Sequence, residues 1–465
     1  MSGAAPLPVL RLPPDLARAE ALGWLTGTIA GPVLRRPLGR LWWLAVGLSL
    51  AGCLLLAVSV AWLFLRGTGI WGLNSSNVWG FAVANYVWWI GIGNAGTLIS
   101  CLLLLTRQHW RASINRYAET MTLVAAAIAG LFPILHLGRP WLFYWLVPYP
   151  NVMDLWPQWR SALVWDLFAI AGYLTFSLLF WYTGLIPDLA SLRDRARSRF
   201  GRLAYGLFAL GWRGAARHWQ AHDLFYRAMA ALGIPLVISV HSVVGLDFAN
   251  AIAPGWNESI FPPYFVVGAM YSGFAMVVTL AVPIRRFLGL EALITLRHFD
   301  AIGKILVLGS LVMAATYLTE WFTAWYGGAT ADRQLVAYRL TGGGAAVYWA
   351  MLVCNVALAQ ILWWPRARRS PWTVFAIAGG INIGMWLERV LIVTDSLSRS
   401  HLPSQWRDFV PTFWDWALLA GSLSLFAFVM LVLLRFLPAV SMHESRTLLP
   451  PAMPPGGRAP AGAVP

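Results

Sequence analysis

The sequence is poor in charge, in lysine and in cysteine. Only 11% of its 465 residues are charged and 59% are hydrophobic, whereas a typical soluble domain carries about 25% charged residues. Lys304 is the only lysine, and Cys53, Cys101 and Cys354 lack the spacing of a zinc site or an iron–sulfur cluster. No Gly-rich phosphate loop or serine-nucleophile elbow follows a plausible strand. These absences argue against a soluble-type active site and against a metal centre held by this chain alone.

Long apolar stretches take the place of those features. A helix needs about 20 apolar residues to cross the hydrocarbon core of a bilayer, where only helices and closed barrels satisfy their backbone polar groups. Ten stretches are long enough: 41–65, 78–106, 116–137, 162–186, 226–248, 262–284, 300–325, 343–364, 372–394 and 412–437. We therefore predict an all-α polytopic membrane protein with an N-terminal arm (1–40), a ten-helix domain (41–437) and a disordered tail (438–465).

Most of the 34 basic residues fall in the arm and in every second gap between the apolar stretches. The richest gap holds eight arginines between Arg193 and Arg227. By the positive-inside rule, both termini are expected in the cytoplasm and the odd-numbered gaps outside. The net charge of +15 is then explained by contacts of the inner loops with anionic lipid, and no basic surface points to nucleic acid.

Ionisable residues within the predicted spans concentrate toward the outer side. Such residues are costly in a membrane and are functional candidates. Glu388 and Arg389 are neighbours that point about 100° apart on a helix, so each is expected to find a partner on another helix, Asp166 for Arg389. Asp395 and Asp415 lie at helix ends and are interpreted as solvated or capping groups. The candidates are His136, Asp166, His241, Asp247, Glu320, Glu388 and Arg389.

This set of residue types suits the oxidation of a quinol. A quinol loses two electrons and two protons, so its hydroxyls need a histidine and a carboxylate as acceptors. Its ring and tail need an apolar, aromatic-lined slot. The aromatic segment Trp141–Trp145 follows His136 directly and could form that slot, although an interfacial aromatic belt is the more common role of Trp and Tyr at the end of a span.

Several longer runs carry a family resemblance. Leu135–Tyr144 resembles the signature of the NrfD/polysulfide-reductase membrane-anchor family. The runs Asn85–Gly93, Ser113–Glu119 and Trp181–Asp188 look like the ActC-type subunits of alternative complex III, a bacterial quinol oxidase. The similarity covers roughly residues 70–440.

The resemblance implies two four-helix bundles flanked by one helix at each end, in a bacterial inner membrane. It also implies a quinol substrate, with menaquinone favoured, bound near the outer face under an iron–sulfur subunit that accepts the electrons. Such assemblies also contain multihaem cytochrome c and a second NrfD-like subunit, so haem and clusters are expected in partners and not in this chain.

The resemblance also assigns roles to residues. The catalytic positions carry over to His136, Asp166, Asp247 and Arg389, and quinol contacts are expected from Arg139, Trp141 and Tyr144 as well. A possible proton path would use Asn94, His241, Glu320 and Glu388. Relatives often have histidine where this chain has Asn94, and asparagine does not titrate near neutrality, which weakens a proton path at that position.

Two other functions remain open from the sequence. A b-type haem anchor would use His136 and His241 as axial ligands on the outer side. A transporter would show inverted repeats and broken helices at the midplane, where this chain has little besides Asn94.

Overall fold

The computed structural model describes residues 9–13, 18–34, 39–147, 159–160 and 162–449. Their regular structure is helical. The helices are α1 (Arg18–Leu34), α2 (Arg40–Arg66), α3 (Gly80–Leu105), α4 (Asn115–His136), α5 (Ala162–Arg195), α6 (Arg199–Phe208), α7 (Ala216–Ala249), α8 (Phe261–Leu288), α9 (Leu296–Tyr326), α10 (Thr330–Thr341), α11 (Ala345–Leu352), α12 (Pro365–Arg368), α13 (Pro371–Ser398), α14 (Phe413–Phe436) and α15 (Met442–Thr447). A π turn and a 3-10 turn extend α11 to Trp363.

Ten helices of the described chain are long and apolar enough to span a membrane: α2, α3, α4, α5, α7, α8, α9, α11 with its extension, α13 and α14. The predicted number is confirmed, and most boundaries agree within a few residues. The exceptions are α5, which continues to Arg195, and α7, which begins at Ala216. Both extensions carry arginines, so apolar length alone placed the end of α5 too early and the beginning of α7 too late.

The spanning helices form two bundles. In the first, α3, α4, α5 and α7 pack in a ring, and in the second α8, α9, α11 with its extension, and α13 do the same. The bundles meet where α8 contacts α3 and α7 and where α13 contacts α3. The flanking helices α2 and α14 pack against each other, and α14 also contacts α4. This is the predicted arrangement of two four-helix bundles with one flanking helix at each end.

Helix α3 is the centre of the molecule and is buried on almost every side. Glycines let its neighbours approach closely. A side chain at Gly96 would lie 2.3 Å from the Ala118 carbonyl oxygen, and one at Gly273 of α8 would lie 1.8 Å from the Ala95 Cβ. In membranes, where helices gain little from hydrophobic burial against each other, such small residues permit the tight packing that holds bundles together.

The two ends of the bundles form two faces. We call the face that carries α1, α15 and the 106–114 and 289–295 segments the proximal face, and the opposite one the distal face. On the proximal face α1 packs against α14 and α15, and Arg446 Nη2 donates to Thr26 Oγ1 at 2.9 Å. The N-terminal arm therefore contains a docked helix.

The prediction of a disordered tail is wrong for residues 438–449. Helix α15 is capped by Ser441, and Met442 and Ser445 are fully buried. The composition of this segment resembles a linker, but its charged groups find buried partners in the bundle, as described below. Residues 450–465 lie outside the described chain.

Candidate functional site

Two carboxyl groups from different helices meet in the distal half of the first bundle. Asp166, one turn into α5, accepts a hydrogen bond of 2.8 Å from the Tyr86 hydroxyl of α3, and Asp247 of α7 lies near enough for the two carboxyl groups to interact. Two neighbouring carboxylates repel each other, so the pair favours holding one proton. Asp166 and Asp247, named here the acid pair, therefore form a place where a proton can be held.

Other polar atoms at this end of the bundle lack partners among the described residues. One oxygen of each acid-pair residue and Nδ1 of His136 are buried there without a hydrogen bond to the described part of the chain. Because unpaired buried polar atoms are costly, they are expected to bind water or a ligand. His136 ends α4 and is partly exposed, and it makes no hydrogen bond to the acid pair in the described chain. The structure thus gathers Tyr86 and the acid pair and leaves His136 available to a ligand.

The residues that follow His136 form an exposed 3-10 turn, Pro140–Leu146. Trp141 is 57% exposed and Tyr144 45%, and Arg139 is exposed as well. The Trp141 ring lies 6.4 Å from that of Phe64 at the distal end of α2. These side chains line the surface of the distal face in this chain, and the side chain of Trp145 is outside the described residues.

The predicted ion pair between Arg389 and Asp166 is absent, because Arg389 lies beside its sequence neighbour. Its Nη1 is 3.1 Å from Glu388 Oε1, and its guanidinium stacks on the Phe265 ring at 4.1 Å. Gly268 makes room for it, since a side chain there would meet Nη2 at 2.8 Å. The long, flexible arginine side chain bridges the 100° between neighbouring positions.

Glu388 does find partners on other helices, as predicted. It accepts hydrogen bonds from the Tyr317 hydroxyl of α9 and, at 3.1 Å, from Nδ2 of Asn355. Asn355 lies in the π turn Val353–Ala357, a distortion that is frequent at functional sites. Glu388, Arg389, Tyr317 and Asn355 form a buried polar group in the second bundle, separate from the acid pair.

His241 and Asn94 lie deeper. Their side chains contact each other, His241 Nδ1 against Asn94 Nδ2, at the interface of α3 and α7. Asn94 is level with Ala126 of α4, because a side chain on the preceding Gly93 would touch Ala126 at 3.1 Å. His136 lies about ten residues, or roughly 15 Å, further toward the distal face. Axial ligands of one haem iron lie at one depth, so this placement disfavours a haem held by His136 and His241.

Glu320 belongs to a third group on the distal face. Arg339 of α10 donates to it at 2.5 Å and lies 3.5 Å from Asp395 of α13. Burial alone lowers the pKa of Arg339, but Glu320 and Asp395 more than offset this and leave that pKa above its ordinary value. The group fastens α10 across α9 and α13.

Asp415 has a local role. It accepts hydrogen bonds from Gly72 N and Thr412 N at 2.8 Å, which agrees with a capping function.

Buried charge is also present on the proximal face, in addition to the outer-side concentration that the sequence predicts. On the proximal face, Glu119 of α4 accepts from Ser100 at 2.5 Å, from Tyr226 at 2.9 Å and from Arg116 at 3.2 Å. Arg116 also donates to Asp188 at 3.1 Å. The charged residues Arg111, Arg116, Glu119 and Asp188, named here the ionic cluster with Glu444 of α15, lie in or beside the runs Ser113–Glu119 and Trp181–Asp188 except for Glu444. A count of basic residues per gap treats Arg111 and Arg116 as lipid anchors.

Helix α15 completes the ionic cluster. Arg111 is 3% exposed and donates to Glu444 and, at 3.0 Å, to Tyr226. Burial lowers the pKa of Arg111, but the neighbouring Glu444, Tyr226 and Glu119 outweigh this and hold that pKa above its ordinary value. Asp188 accepts from the backbone N–H groups of Met442 and His443 at 3.1 and 3.2 Å.

Fold and site together define a multi-pass helical membrane protein with buried acid groups near one face and a buried ionic cluster near the other. The family model described as polysulphide reductase, NrfD, matches residues 70–399. The chain belongs to this family, which confirms the resemblance to the NrfD/polysulfide-reductase membrane anchors.

Two curated relatives are similar over part of the chain. A membrane subunit of a putative dimethyl sulfoxide reductase from Halobacterium salinarum is 26% identical over 272 residues, 58% of this chain and 57% of the relative. A selenate reductase subunit from Mesobacillus selenatarsenatis is 24% identical over 237 residues, 48% of this chain and 53% of the relative. The chain thus spans little more than half the length of each.

Proposed function

We propose that this chain is the quinol-oxidising membrane subunit of an oxidoreductase complex. The observation that carries the proposal is the acid pair with its Tyr86 contact, at the same end of the first bundle as the unpaired Nδ1 of His136. Oxidation of a quinol to a quinone releases two protons and two electrons. His136 and the acid pair provide one acceptor for each proton, in a setting where their free polar atoms can bind the two hydroxyl groups.

The electrons must leave the chain through a partner. Quinol oxidation at the distal face would pass them to an iron–sulfur subunit that docks there, and the exposed aromatic turn Pro140–Leu146 offers it a surface. The names of the relatives, subunits of two reductases, fit a chain that supplies electrons to a complex. We further propose that the complex is of the alternative complex III type. Its substrate would be menaquinol, and its partners would include multihaem cytochrome c and a second NrfD-like subunit. This finer assignment rests on the sequence runs given above.

The orientation that the positive-inside rule favours completes the proposal. With the proximal face in the cytoplasm of a bacterial inner membrane, both protons are released outward from the distal face. Arg389 and Glu388 contact each other, and Glu388 also contacts Tyr317 and Asn355, so we assign both residues to the polar group of the second bundle and not to the acceptance of the quinol protons. Asn94 and His241 remain a candidate pair for a deeper proton path.

The test is quinol oxidation by the complex purified gently from its native membrane, with menaquinol and an artificial electron acceptor. His136→Gln and Asp166→Asn should each reduce turnover at least tenfold, because each removes a proton acceptor. His401→Gln is the matched control, since His401 lies exposed on the distal face and contacts only the Ile252 carbonyl. Unchanged turnover in both site variants, with intact assembly, would refute the proposal.

A further inference from the structure

A cavity of about 720 Å³ opens on the proximal face, on the other side of the membrane from the acid pair. It lies between the end of α3, the beginning of α7 and α15. One wall is apolar, formed by Leu103, Leu104 and Leu105, and the rest is polar and rich in arginine and histidine. We propose that this cavity binds the phosphate group of an anionic lipid.

The charges of the cavity do not balance. Arg111 is neutralised by Glu444, whereas Asp223 lies 3.5 Å from His222 and 4.0 Å from His443 and forms no ion pair with an arginine in the described chain. Three arginines thus face two carboxylates, which leaves an excess of one positive charge. Arg107 and Arg227 are exposed at the rim, and within the described chain no carboxylate lies within 4.0 Å of either. This excess attracts an anion, and guanidinium groups match the geometry of phosphate oxygens.

The end of α3 places Arg107 at the rim of the cavity. Arg107 has a φ of 54°, one of two non-glycine residues of the described chain in the left-handed region. It follows the end of α3, where Gln108 N donates to the Leu103 carbonyl, a position at which glycine is usual. The left-handed turn ends the helix and leaves the Arg107 side chain exposed beside the cavity.

His222 also lines the cavity and is 9% exposed. Its Nε2 lies 3.1 Å from the Thr183 carbonyl and must carry hydrogen, since a carbonyl only accepts. Its Nδ1 faces the Asp223 carboxylate at 3.5 Å. His222 therefore belongs to the wall of the cavity, and the arginines are the groups that can bind an anion.

The position of the cavity favours a lipid over a free anion. Arg107 follows the last turn of the spanning helix α3 and Arg227 lies on α7, which places both near the level of lipid headgroups. Beside Arg227, Leu224 is 74% and Phe225 54% exposed, and Leu105 is 41% exposed. Acyl chains can lie along these apolar side chains while the phosphate enters the cavity.

The proposal is tested on the whole chain, with its copurifying partners, in nanodiscs of phosphatidylcholine with phosphatidylglycerol as a minor component. Native mass spectrometry then counts the phosphatidylglycerol molecules that stay bound after the protein is released from the nanodisc. Arg107→Gln and Arg227→Gln should each reduce retention roughly fivefold. Arg286→Gln, which removes an exposed arginine at the proximal end of α8 away from the cavity, should leave retention unchanged. Arg107→Lys keeps the charge and should retain most of the lipid.

Competition with inorganic phosphate distinguishes a lipid headgroup from a free phosphate-bearing anion as the ligand of the cavity. If millimolar phosphate does not displace phosphatidylglycerol, a lipid headgroup is the ligand. Displacement by phosphate at that concentration would overturn the lipid assignment in favour of a free phosphate-bearing anion. Equal retention in Arg107→Gln, Arg227→Gln and Arg286→Gln would overturn the site itself, because the lipid would then respond only to the general basic surface.

Discussion

The hydroxyl of Tyr86 lies 2.8 Å from the carboxyl group of Asp166, and this hydrogen bond joins α3 to α5 at the acid pair. Tyr86→Phe removes it without changing the shape of the side chain. Because a hydrogen bond to a charged group contributes about 1.5–3 kcal/mol, we expect quinol oxidation to fall by roughly tenfold or more. Tyr117→Phe is the control: Tyr117 is buried in the same bundle and its hydroxyl has no partner, so turnover should not change.

Arg339 is the only described cation in contact with both Glu320 and Asp395. Arg339→Met keeps much of the volume but leaves two carboxyl groups without their counter-charge. Breaking a buried ion pair from one side costs about 3–5 kcal/mol, so thermal unfolding in detergent should occur at a clearly lower temperature. The same change at Arg333, an exposed residue that bonds the Trp325 carbonyl, should cost less than about 1 kcal/mol. Equal effects would show that Arg339 has no special structural role.

The contact between α3 and α4 depends on the absence of a side chain at Gly96. In Gly96→Ala the new Cβ would lie 2.3 Å from both the Ala118 carbonyl oxygen and Thr122 Oγ1. The helices must separate, and a loss of about 1–3 kcal/mol in the free energy of unfolding is expected. Gly130→Ala on α4 meets nothing within 4 Å and should be neutral or stabilising. Unfolding in a graded denaturing detergent measures both; a stable Gly96→Ala protein would contradict the packing.

Glu444 anchors α15 through Arg111 and, at 2.9 Å, through Asn115 Nδ2. Glu444→Gln weakens both contacts, so backbone amide exchange across residues 438–449 should become roughly tenfold faster. Hydrogen-exchange mass spectrometry reads this segment directly. Glu291→Gln, on the same face, provides the control and should leave the segment protected. Fast exchange of residues 438–449 in the unchanged protein would refute the docked helix.

The orientation is checked by cysteine labelling in cells, after Cys53, Cys101 and Cys354 have been replaced by serine. A cysteine introduced at Ser404, exposed on the distal face, should react with a membrane-impermeant maleimide from outside. One at Arg202, exposed on the proximal face, should react only after the membrane is opened. The reverse pattern would place the acid pair on the cytoplasmic side and change the side of proton release.

The sequence predicts the architecture well because apolar length and helix pairing both follow from simple physical limits. It predicts how deep in the membrane a residue lies, but not which way its side chain points or how far the side chain extends. Asp166 and Arg389 were matched by charge and depth, yet Arg389 reaches Glu388 and the Phe265 ring instead. Tyr86 was missed although it lies in a run that carried the family resemblance. A buried tyrosine has no signature in composition, and only helix packing shows that it meets Asp166.

The proximal ionic cluster was missed for a different reason. Arg111 lies in a gap between two spans, and Arg116 lies at the beginning of a span. Arginines are common at both places because of the positive-inside rule alone. The pairing of Glu119 with Arg116 one turn away on α4 was visible as an i, i+3 spacing. The burial of this pair was not visible in the sequence, because it depends on Tyr226 and α15, which are distant in sequence.

The link between Arg111 and Glu444 also constrains the order in which the protein can be made. The two residues are 333 positions apart. Arg111 enters the membrane interface early in synthesis, while its main counter-charge is still untranslated. Until α15 has been made, Glu119 is the carboxylate of the first bundle that lies near Arg111, at 3.6 Å, and the ionic cluster is complete only when α15 packs against it.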